Sequence, residues 1–118
     1  FATGHLVWEA LEAAKKLKEK NISAEIINIT TIKPLDKKII LDSVNKTKCV
    51  VTAEEHQKLG GLGASISQLL SEELPCPIEM IAVNDKFGES GKPNLLMKKY
   101  KLDSNNIIKA CEKVLLRK

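Results

Sequence analysis

The apolar positions of this chain switch repeatedly between two periods. Leu6, Val7, Ala10, Leu11, Ala14 and Leu17 recur at helical spacing, which predicts an amphipathic helix over residues 5–20 that stops near Asn21. Residues 24–29, AEIINI, then read as a strand. Pro34 breaks the chain, and Asp36 is placed to cap a helix over residues 37–46. Residues 48–53, KCVVTA, are β-branched enough for a second strand. A third helix is expected over residues 61–73, with Leu62, Ile66, Leu69 and Leu70 on one side. Pro75 and Pro77 bracket a turn before the strand IEMIAV at 78–83. A polar loop, NDKFGESGK, follows at 84–92, and Pro93 can open a short helix through Lys99. Asp103 can cap a last helix in which Ile107, Cys111, Val114 and Leu115 share a face.

Strands alternating with helices imply right-handed crossovers and a parallel sheet. The chain opens on Phe1-Ala2-Thr3-Gly4 without an initiator Met, which reads as a fragment whose first strand ends at Phe1–Thr3. The expected fold is therefore α/β: a three-layer α/β/α sandwich forming one domain over residues 1–118, with helices on both faces of a mostly parallel sheet. The natural order for the strands present is 2-1-3-4. That order puts the switch point between the first and third strands. Their C-terminal ends carry Thr3-Gly4-His5 and Glu54-Glu55-His56, where ligands usually bind in wound sheets.

Composition narrows the picture. With 118 residues and 43% of them hydrophobic, the chain can build a core, and with only 3% aromatics that core is aliphatic. No apolar run approaches the ~18 residues of a membrane span, and no secretory pattern is visible. The net charge of +4 comes from lysines spread along the chain and interleaved with acids. This describes a solvated helical surface, not a nucleic-acid site. Cys49, Cys76 and Cys111 show neither CxxC nor disulfide-framework spacing. Buried, reduced thiols and a cytosolic location are expected.

The chemistry turns on the stretch TAEEHQKLGGLGAS at 52–65. As a dinucleotide fingerprint it is weak. Gly61-Leu62-Gly63 is followed by Ala64-Ser65-Ile66, so the third glycine is missing, and the glycines come well after the strand. As a catalytic pair, His56 with Glu54 or Glu55 lacks a nucleophile motif, and neighbours on an extended chain point in different directions. The competing reading, a carboxylate that caps a helix or pairs across an interface, is preferred. Gly60, Gly61 and Gly63 would then let the third helix start close against the sheet or a neighbouring chain. His5, in the first turn of a helix, fits a polar contact or a cap. Gly88-Glu89-Ser90-Gly91 could receive an anion on backbone N–H groups or pack as a turn against another domain, with Phe87 beside it. Trp8 is explained by core or interface packing.

An ordered set of segments carries a resemblance. ATGH-x-V-x-E-A-L-E-A-A at 2–14, AEIINI followed by TIKPLD at 31–36, VVTAEEH at 50–56 with GGLG at 60–63, and FGESGKP at 87–93 together resemble the C-terminal domain of transketolase. They are closest to transketolases split into two shorter chains. The resemblance implies a mixed five-stranded sheet whose antiparallel edge strand would precede Phe1. It implies a parent enzyme that moves a two-carbon ketol unit between sugar phosphates using thiamine diphosphate and a divalent metal, usually magnesium. It also implies that those groups sit in other domains, so that this fragment supplies no catalytic, cofactor-binding or metal-binding residue. In agreement, no G-D-G followed by an asparagine some thirty residues on is present.

The leading expectation is thus a noncatalytic domain supporting assembly with other transketolase domains or subunits, as a homodimer or heterotetramer, with no nucleic-acid or membrane partner. Its contact surface is expected around Thr3–His5, Glu54–Gly63 and Phe87–Lys92. A flavodoxin-like binding module with a ligand at the strand 1/3 crevice is one alternative. The C-terminal domain of a 2-oxoacid dehydrogenase beta subunit or of deoxyxylulose phosphate synthase is another.

Overall fold

A computed structural model describes residues 1–30, 32–57, 61–83 and 103–118. Four helices and two strands follow one another: α1 (Leu6–Glu19), α2 (Lys37–Thr47), β1 (Val50–Gln57), α3 (Leu62–Glu73), β2 (Ile78–Val83) and α4 (Ser104–Leu116). The expected short helix from Pro93 and the loop residues Phe87–Gly91 lie outside the described residues.

The caps read from sequence form. The Asp36 carboxylate accepts from the Ile39 N–H at 3.2 Å, and that of Asp103 accepts from the Asn106 N–H at 3.1 Å. Each satisfies an amide that the first helical turn would otherwise leave unpaired. Asn21 ends α1 in the left-handed region, with φ of 62°, a conformation asparagine tolerates better than most residues.

β1 and β2 pair in parallel from Val50↔Ile78 to Ala53↔Ile81, with an irregular register between Ala53 and Gln57. Ala2 bridges in parallel to both Asn28 and Ala53. The sheet therefore runs in the order residues 27–29, Phe1–Thr3, β1, β2, which is the 2-1-3-4 order expected. One element is weaker than the sequence suggests: AEIINI contributes a single bridge at Asn28 in place of a full strand.

Two apolar clusters flank the sheet. Leu6, Ala10, Ala13 and Leu17 of α1 meet Ile107 and Ile108 of α4 over Ala2, Ala53 and Ile81. On the other face, Ile40 and Val44 of α2 and Leu62, Ile66, Leu69 and Leu70 of α3 cover Ile29 and Val50. These are the three layers expected. Some inward assignments change. Leu11 and Leu115 are exposed, whereas Ala13 and Ile108 face the core. Trp8 is 69% exposed, which removes core packing as its explanation. The three cysteines are free and only partly buried; burial pushes the Cys111 thiol up to about 11. Among the described residues no helix is long and apolar enough to cross a membrane.

Candidate functional site at the C-terminal edge of the sheet

The Thr3 N–H donates to the Ala53 carbonyl at 3.2 Å, and the Ala53 N–H donates to the Phe1 carbonyl at 2.9 Å. These bonds bring Thr3–His5 and Glu54–Gln57 off the same edge of the sheet, at the switch point. Gly4, His5 and Glu55 are exposed there, and Thr3 is half-buried. Gly4 turns the chain with φ of +54°, where a glycine carries no steric penalty. His5 occupies the position before α1 but makes no side-chain cap bond, so the cap expected of it is not formed.

Glu54 behaves differently from its neighbours. It is 1% exposed. One carboxylate oxygen accepts from the Leu62 N–H at 2.7 Å and the other from the Gly63 N–H at 2.6 Å. A strand residue thus caps the start of the helix eight residues downstream. Charge-assisted bonds to two orphan amides at the positive end of a helix are the arrangement in which burying a carboxylate is tolerated. Both oxygens are engaged, so Glu54 is not free to orient a histidine or to act as a base. The capping alternative weighed from sequence is the one this geometry supports.

The glycines divide. Gly61 precedes α3 in extended backbone, with φ of −94°, which any residue adopts. Gly60 lies outside the described residues. Gly63 is the position where the helix meets the sheet: a Cβ there would lie 2.6 Å from Met80 Sδ and 2.8 Å from Thr52 Oγ1. The close start of α3 therefore uses Gly63, with Met80 of β2 and Thr52 of β1 beneath it. Sequence reasoning did not find these two partners. Thr52 is fully buried and its hydroxyl has no hydrogen-bond partner. A threonine in an apolar strand carries no sequence signal of that kind.

No group of three or more His, Cys, Asp or Glu side chains that could hold a metal ion occurs among the described residues. The start of α3, the natural receiver for a diphosphate, is filled by the Glu54 carboxylate. The Leu62 and Gly63 amides at that helix start are therefore already engaged.

Comparison with known proteins agrees with this fold. The sequence profile of the family described as "Transketolase, C-terminal domain" matches residues 1–107. The chain is 42% identical over its full length to a 6-deoxy-6-sulfo-D-fructose transketolase subunit of a Clostridium species, of which it spans 37%. It is 39% identical over 91% of its length to a 1-deoxy-D-xylulose-5-phosphate synthase of Caldanaerobacter subterraneus, of which it spans 17%. Among solved structures, a split-gene transketolase described as an inactive beta4 tetramer superposes with a TM-score of 0.92 at 42% identity, covering 98% of this chain and 38% of the other. The chain thus spans little more than a third, or less, of the proteins it matches. With its wound sheet, its capped third helix and a profile match over nearly all its residues, the chain belongs to the transketolase C-terminal domain family.

Proposed function

We propose that this chain serves as the noncatalytic C-terminal domain of a thiamine-diphosphate-dependent transketolase, contributing to subunit assembly in the cytoplasm. The parent enzyme transfers a two-carbon ketol unit between sugar phosphates, with the cofactor and magnesium held in other domains. The observation that carries this reading is the state of the switch-point edge. Its helix start is closed by Glu54, so the place where a wound sheet usually takes a ligand holds a structural bond instead.

What remains at that edge suits contact with protein. Gly4, His5 and Glu55 are exposed, and Trp8 follows in the first turn of α1 with most of its surface open. Large aromatic groups of this kind are enriched at interfaces. His56, Gly60 and Phe87–Gly91 are proposed to join the same surface. The split-gene transketolase neighbour, itself a tetramer of its beta chain, supports a second subunit as the partner.

The experiment assays the parent enzyme and the isolated chain side by side. The parent with magnesium and thiamine diphosphate is expected to show ketol transfer, and residues 1–118 alone neither transfer nor heat of cofactor binding. Micromolar binding of the cofactor by residues 1–118, or a parent with no ketol transfer, would overturn the proposal.

A further inference from the structure

Met80 lies at the seam between β2 and α3, with its sulfur in a notch. Gly63 makes the notch: a Cβ there would lie 2.6 Å from Met80 Sδ and 2.8 Å from Thr52 Oγ1. One helical turn further on, the Ser67 hydroxyl donates to the same sulfur at 3.9 Å. Gly63 and Ser67 stand four residues apart in α3, so both belong to the face that covers β2. Met80 is 36% exposed, whereas Ile81 and Ala82 beside it are buried.

The two sides of the sulfur differ. Gly63 and Thr52 are buried and close the inner side. Ser67 is half-buried, and its contact with the sulfur is at the surface. A thioether sulfur has two lone pairs, and an oxygen added to one or the other gives a different sulfoxide epimer. The lone pair on the Ser67 side is the one a reagent from solvent reaches.

We infer that Met80 is an oxidation site at which the Ser67 hydroxyl holds the product. The oxidant is a peroxide, with hydrogen peroxide as the simplest. The sulfur lone pair forms an S–O bond as the peroxide O–O bond breaks. One oxygen stays on sulfur, its proton passes to the departing hydroxide, and water leaves. Sulfur is oxidised and the peroxide is reduced. A thioether is a weak acceptor, and the sulfoxide that replaces it is polar. An oxygen on the outer side of Sδ comes within hydrogen-bond reach of the Ser67 hydroxyl. The polar group made by oxidation therefore finds a donor at a seam it would otherwise disrupt, and α3 keeps its place on the sheet. Ser67 is a positioning residue here, and the covalent change is confined to Met80. The inference is independent of the function proposed above.

The test treats the folded chain and a urea-unfolded sample with hydrogen peroxide, digests both, and follows the peptide that carries Met80 by mass. Two methionine sulfoxide reductases, each specific for one epimer, then read the configuration at sulfur. The folded chain is expected to give one epimer in at least about fivefold excess, and the unfolded sample both in similar amounts. No Met80 sulfoxide in the folded chain, under conditions that oxidise the unfolded one, would overturn the inference, as would equal epimers. Thermal unfolding before and after oxidation tests Ser67. Ser67→Ala is expected to lose several degrees more on oxidation than the parent sequence. With Met80→Leu added to both proteins, that difference is expected to vanish. Equal losses in the first comparison, or a difference that persists in the second, would overturn the role of Ser67.

Discussion

The carboxylate of Glu54 accepts the backbone proton of Gly63 at 2.6 Å, so a residue of β1 holds the first turn of the helix that follows it. Its second oxygen holds Leu62 in the same way. The pair ties the sheet to the first turn of α3.

Removing that carboxylate leaves two amides without partners in a buried position. Glu54→Ala is expected to destabilise the fold by about 2–4 kcal/mol, more than an exposed cap. Glu54→Gln keeps the shape but turns one acceptor into a donor facing an N–H, and should cost about 1–3 kcal/mol. Urea denaturation of both variants checks this, and a midpoint equal to that of the parent sequence for Glu54→Ala would refute it.

Gly63 and Gly4 separate two uses of glycine. Gly63→Ala places a methyl against Met80 and Thr52. Met80 can turn aside, but the β-branched Thr52 cannot, so a loss of about 1–3 kcal/mol is expected. Gly4→Ala meets no atom within 4 Å and feels only its φ of +54°, at a cost of about 1 kcal/mol. Thermal unfolding of the two variants should rank them in that order.

Thr52 offers a gain. Its buried hydroxyl has no partner, and Thr52→Val replaces it by a methyl of similar size. The expected change is neutral to stabilising by about 1 kcal/mol, because an unsatisfied polar group is removed and no bond is lost. A lower denaturation midpoint would show that the hydroxyl bonds to something the fold needs.

The sequence by itself determined the alternation of helices and strands, the two aspartate caps, the layer architecture and the strand order 2-1-3-4. Each rests on local signals: a period of 3.6 or 2, a side chain three residues from an amide, and the handedness of crossovers. The family was legible for a similar reason, since its motifs are short and fall in a fixed order. The tertiary structure decided what those signals leave open. Helical spacing gave α1 an apolar stripe, but the position of α4 settled that Ala13 turns inward and Leu11 and Trp8 outward. Glu54 could have been a base, an interface acid or a cap, because the amides it binds lie eight and nine residues away and meet it only once α3 is laid on the sheet. Gly63 stood in a run of glycines that looked alike. The packing of Met80 and Thr52 beneath Gly63 shows that a side chain has no room there. AEIINI had the composition of a strand and kept one bridge, since pairing belongs to two segments and no single stretch of sequence contains both.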